Sequence, residues 1–156
     1  KVKQKDKNQP VSKAVIEQVK RYLKNPDEFL FIQKQETLHA IPKAFETDYN
    51  YLQTQLYFIE TGIGLAKVFG NKVQPEHNLA LSWNLNKTYF NTIELSLNEA
   101  LQYLHRDNIF KNGEEPGINL ITYNQYPLGW IKNIGNRWNN LYPANWRIRM
   151  ELPKEF

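Results

Sequence analysis

The stretch YPLGWIKNIGNRWNNLYPANWRIR, from Tyr126 to Arg149, most narrows what this chain can fold into. Pro127, Gly129, Gly135 and Pro143 interrupt it too often for a helix, because proline lacks an amide donor and glycine disfavours a helical interior. Strands joined by turns remain: Tyr126–Ile134 as one strand, Gly135-Asn136 as a turn, and a return over Arg137–Leu141. The same stretch holds Lys132, Arg137, Arg147 and Arg149 and no acid, so its charge of +4 equals that of the whole chain. Tyr126, Trp130, Trp138, Tyr142 and Trp146 sit among those cations. Cations attract phosphate and aromatic faces stack on unpaired bases, which makes RNA binding one reading. The other is a small β-core whose basic residues solvate its rim.

Upstream of this stretch, Ser96-x-x-Glu99 is a capping box opening a helix to about Arg106, with Ala100, Leu101 and Leu104 as its buried face. Thr92–Leu95 and Ile118–Tyr123 read as flanking strands, Lys111–Gly117 as a loop and Asn124-Gln125 as a turn. Polar Asn86–Asn91 marks a boundary. Before it, Ser12 caps a helix in which Val15, Ile16, Val19, Tyr22 and Leu23 follow helical spacing until Asn25-Pro26. Phe29–Gln33 and Thr37–Ile41 flank Gln35-Glu36 as a hairpin. Asp48 opens a short helix using Tyr49, Leu52 and Leu56. Phe58–Phe69 reads as a strand with a glycine bend, and Gly70-Asn71 as a turn. Pro75 suits the start of a helix over His77–Leu85, with Leu79, Ala80 and Trp83 inward. The division is a disordered basic linker over residues 1–10, an α/β subdomain over 11–85 and the basic-aromatic domain over 86–156. The fold class is α+β.

Charge is segregated: residues 1–24 carry eight basic and two acidic groups, whereas residues 25–125 carry seven and twelve. No apolar run is long enough to span a membrane. The absence of cysteine removes disulfides, thiolate metal sites and a cysteine nucleophile. Gly62-x-Gly64 lacks the third glycine and the βαβ setting of a dinucleotide loop. His39 has no partners at metal-ligand spacing and reads as structural. His105 and Arg106 read as helix-end residues, and Glu114-Glu115 as a solvated pair in a loop. Met150 is the only methionine and the chain starts at Lys1, so we expect the C-terminal piece of a longer protein.

Pro127-Leu128-Gly129-Trp130, Lys132, Asn140, Tyr142-Pro143 and Arg147 together resemble the C-terminal signature of the RsmF/Sun-type RNA cytosine-5 methyltransferases. Gly62-Ile63-Gly64, Gln74-Pro75-Glu76-His77, Leu95-Ser96 and Tyr103-Leu104 extend the likeness from about Gly62 to Arg149. The departures are Ile131 and Asn145 where the family has glycine, and Asn139 and Ala144 where it has lysine. The resemblance implies a small PUA-like β-barrel at the C-terminus, packed with a smaller N-terminal α/β subdomain. In that family S-adenosylmethionine and the catalytic cysteines belong to a Rossmann-like domain with no counterpart in this sequence. The resemblance therefore implies a non-catalytic, cytoplasmic, monomeric accessory region with no cofactor of its own. It would position ribosomal or transfer RNA for the upstream methyltransferase domain. Lys132, Arg137, Arg147 and Arg149 are the candidates for phosphates, and Trp130, Trp138 and Tyr142 for stacking or core. The competing expectation is a protein-interaction module that supports the catalytic domain and touches RNA little.

Overall fold

The Ser12 hydroxyl accepts from the Val15 amide at 3.3 Å and opens α1 (Lys13–Lys20) in the computed structural model, which describes residues 12–70 and 72–152. The basic linker expected over residues 1–10 lies outside the described residues, as does Asn71 of the expected turn. The chain divides into two compact units between Leu85 and Asn86.

In the first unit α1 buries Val15 and Val19 and stops at Lys20, earlier than its apolar spacing predicts. Tyr22 and Leu23 are buried beyond the helix, and Leu23 pairs with Leu85 in an antiparallel bridge. β1 (Phe29–Lys34) and β2 (Thr37–Pro42) form the expected hairpin, with Gln35 in the left-handed region at φ 53°. β3 (Ile63–Phe69) and β4 (Lys72–Pro75) complete an antiparallel meander in the order β1-β2-β3-β4. Leu38, Ala40, Ile41, Leu65 and Ala66 are buried in it, and because neighbours along a strand alternate, both of its faces are covered. Between β2 and β3, α2 (Glu46–Gln55) starts two residues before Asp48 and buries only Tyr49; Leu52 and Leu56 are exposed, contrary to their predicted inward role.

Gly62 and Pro75 show how tightly this sheet is specified. Gly62 has φ +58°, and a Cβ there would lie 2.2 Å from the Ala40 carbonyl oxygen. Pro75 ends β4 opposite Ala66 instead of starting a helix. A proline can close an edge strand because it owes that edge no amide donor. The helix that follows, α3, starts at His77 as expected but ends at Ala80, short of Leu85. It buries Leu79 and Ala80, but the chain then turns and Trp83 is 91% exposed, which corrects its expected inward position. His39 and His77 are buried, and burial pushes both imidazoles below their usual titration range.

The second unit holds β5 (Asn91–Glu94), α4 (Leu97–His105), β6 (Gly117–Tyr123), β7 (Tyr126–Asn133) and β8 (Trp138–Asn140). Its sheet runs β5-β6-β7-β8, with β5 parallel to β6 and the other pairs antiparallel. Asn124 and Gln125 both adopt positive φ, 48° and 67°, the geometry of the two-residue turn that matches hairpin twist. The Glu94 carboxylate steadies that turn by accepting from the Gln125 amide and, at 2.5 Å, from the Thr122 hydroxyl. In α4 the Ser96 hydroxyl accepts from the Glu99 amide while Glu99 accepts from the Ser96 amide, closing the capping box. Ile93, Leu95, Ala100, Tyr103, Ile121, Ile131 and Trp138 form one core between α4 and the sheet, with Leu104 packed at its edge. The molecule is thus mixed α+β, with a four-stranded sheet in each unit.

Candidate nucleic-acid interface

Pairing across β6, β7 and β8 decides which way each basic and aromatic side chain points. Ile121 faces Gly129, but Thr122 faces Pro127, so Leu128 is an extra residue that bulges β7. Residues opposite one another share a face of a sheet. Ile93, Ile121, Ile131 and Trp138 accordingly share the face that packs on α4. Leu120, Trp130 and Lys132 lie on the other face.

Neither tryptophan of this hairpin is a ready stacking surface. Trp130 is 1% exposed, with the Phe90 ring centroid 4.6 Å away, and its carbonyl accepts from the Tyr103 hydroxyl at 3.0 Å. Burial pushes the Tyr103 phenol far above its usual range, which suits a permanent donor. Trp138 is 7% exposed in the α4 core. Of the two roles weighed for these residues, the core role describes where they are. Tyr142 is half-buried, edge-on to Tyr103 at 5.6 Å.

The cations fall into two places. Lys132 and Arg137 are exposed on the β7–β8 hairpin, Lys132 on the face away from α4 and Arg137 after the positive-φ turn at Gly135. The acidic loop approaches this end, because the Asn133 amide donates to the Glu114 and Glu115 carbonyls at 2.8 and 3.2 Å. Arg147 and Arg149 lie instead along the C-terminal end of α4. The Ile148 amide donates to the Leu104 carbonyl at 3.1 Å, with Ile148 half-buried and the two arginines exposed on either side of it. Among the described residues these four cations make no ion pair or side-chain hydrogen bond.

At this second place two residues lie outside the sequence-based site candidates: Arg106, read as a helix-end residue, and Asn140, named only within the resemblance. Arg106 ends α4 at φ 71°, with the Arg106 amide on Tyr103 O and the Asp107 amide on Gln102 O, a Schellman end. Its guanidinium donates to the Tyr142 carbonyl and, at 3.3 Å, to the Asn140 carbonyl. Asn140 returns the connection, donating to the Tyr103 carbonyl at 2.8 Å and accepting from the Tyr142 amide at 2.9 Å. Pro143 then begins a short 3-10 turn, Ala144–Trp146, that leaves Trp146 52% exposed beside Arg147. The available signal was the capping box itself. It fixes where the helix starts, and the left-handed turn at Arg106 ends it beside the return chain. At this end Asp107 is engaged by His105 at 2.6 Å.

The arrangement offers cations and one exposed indole along an extended backbone, suited to a phosphate chain and a stacked base. Among the described residues no three His, Cys, Asp or Glu side chains could share a metal ion.

Residues 90–148 match the sequence profile of the family described as the methyltransferase RsmF PUA domain. The chain is also 29% identical, over 112 residues, to the ribosomal RNA small subunit methyltransferase F of Erwinia tasmaniensis. That alignment covers 71% of this chain and 22% of the relative, so the match spans about a fifth of the relative's length.

Proposed function

Residues 90–148 being a PUA-like region of the RsmF type, we propose that the chain is the RNA-binding accessory part of a ribosomal RNA cytosine-5 methyltransferase. It holds the RNA substrate while a separate domain of the same protein binds S-adenosylmethionine and transfers the methyl group. The observation that carries this reading is the segment Trp146–Arg149. It presents an exposed indole, together with two exposed arginines that make no ion pair or side-chain hydrogen bond among the described residues, on a backbone anchored to the end of α4. Unspent charge beside an exposed ring is what a sequence-tolerant single-strand site requires.

The test is the binding of single-stranded RNA against salt concentration for two double variants. With about 0.7 counterions released per phosphate contact, Arg147→Glu with Arg149→Glu lowers the slope of log affinity against log salt by about 1.4 or more. Lys132→Glu with Arg137→Glu has a smaller effect, because the acidic loop backbone already crowds that end. A larger loss from the hairpin pair would move the site to the hairpin. Wild-type affinity and slope in both variants would sink the RNA reading.

A protein-interaction role is the second reading. It is favoured by the exposed apolar side chains of the first unit, Tyr57, Ile59 and Trp83, which RNA binding at α4 does not use. Survival of wild-type RNA binding in both double variants is the result that would favour it.

A further inference from the structure

Trp138 carries a donor that the fold leaves unused. Its indole Nε1 is buried and has no hydrogen-bond partner among the described residues, a costly state for a polar group. The same residue lines a cleft of about 230 Å³ beside the first half of α4. Leu95 and Ile109 give the cleft apolar walls, and Gln102 and Asn108 place two side-chain amides at it. Neither amide is hydrogen-bonded within the described residues. Phe110 stands over Trp138 edge-to-face, ring centroids 6.1 Å apart, and is itself 40% exposed.

The charges at the cleft select the kind of occupant. Lys111 is its cation, and Glu99 holds that ammonium at 2.9 Å. A phosphate would have to break this pair. A neutral planar group with acceptors on its edge would not. The volume is below the roughly 300–1,000 Å³ usual for drug-sized ligands, which points to a single ring system.

We propose that this cleft receives one unstacked nucleobase of a bound single-stranded RNA. The base lies against Phe110, an acceptor on its edge takes the Trp138 indole N–H, and the Gln102 and Asn108 amides meet the remaining edge. Rotation of Phe110 from its edge-on position opens the indole to the base. The inference rests on the RNA-binding reading above and adds to it: the arginine segment holds phosphates, and the cleft tells a splayed base from a stacked one.

The experiment follows the Trp138 indole N–H resonance of the isotopically labelled chain. The probes are the four nucleoside 5′-monophosphates, inorganic phosphate and a single-stranded oligoribonucleotide. At least one mononucleotide moves that resonance downfield, and inorganic phosphate leaves it in place. Phe110→Ala and Asn108→Ala, both at exposed positions, abolish the shift. Phe110→Ala also weakens oligonucleotide binding about tenfold while the backbone amide spectrum stays folded. A resonance that none of the four mononucleotides moves, or that inorganic phosphate moves equally, overturns the proposal. An oligonucleotide that binds without moving it overturns the cleft and spares the arginine site. An oligonucleotide that does not bind overturns both.

Discussion

Replacing Arg106 separates two opposed effects that its position combines. The side chain fastens the return segment by donating to the Tyr142 and Asn140 carbonyls. The backbone meanwhile sits at φ 71°, where a residue with a Cβ is strained by about 1–2 kcal/mol relative to glycine. Charge-assisted bonds contribute about 1.5–3 kcal/mol each when buried, and about 1 kcal/mol each at an exposed site such as this. Arg106→Ala keeps the strain and loses both bonds, a cost of about 2 kcal/mol. Arg106→Gly loses the same bonds but relieves the strain, a net cost of about 1 kcal/mol. At roughly 2–4 °C per kcal/mol for a chain of this size, alanine lowers Tm by about 4–8 °C and glycine by about half as much. Thermal unfolding followed by circular dichroism measures the order wild type, then glycine, then alanine. Alanine melting with wild type would show that the guanidinium holds nothing. Glycine melting below alanine would refute the argument from backbone strain.

Gly62→Ala drives a Cβ to 2.2 Å from a backbone carbonyl of β2 at a positive φ, so neither neighbour can yield cheaply. The expected loss is about 3 kcal/mol or more, read from the denaturant midpoint, and a midpoint within error of wild type would refute the close approach. His39 and His77 give an acid limb. Burial lowers both pKa values in the folded state, so the unfolded chain takes up more protons as pH falls below about 6.5. Stability present above that pH is lost on acidification through the window beneath it. Denaturant midpoints at pH 7.5 and pH 5 measure the loss, which shrinks in His39→Gln; equal midpoints would sink the assignment.

Local signals carried far in this sequence. The Ser96 capping box, the Asn124-Gln125 turn, the β1–β2 hairpin and β7 were all legible from residue type and spacing, because each rests on contacts within a few residues. The misreadings have non-local causes. Pro75 looks like a helix start until β3 is there to pair with it. Trp83 fits a helical stripe only if the helix runs past Ala80. The candidate interface was legible as composition and not as geometry. The Leu128 bulge decides that Trp130 and Lys132 share a face away from α4, and nothing local marks it. Arg106 is brought to Arg147 and Arg149 through tertiary hydrogen bonds, its own to the Tyr142 and Asn140 carbonyls and those of Asn140 and Ile148.

The parallel pairing of β5 with β6 has a kinetic consequence. β6, β7 and β8 are consecutive hairpins that can zip from their turns, but β5 reaches β6 only after α4 and the loop behind it have closed. That closure costs chain entropy before any ladder bond forms. The edge made by Asn91–Glu94 is therefore the late arrival in folding and the early departure in local opening. Its amides will exchange with solvent deuterium ahead of those of β6 and β7. Because Leu95 of the cleft follows directly on that strand, opening of β5 also loosens one wall of the cleft.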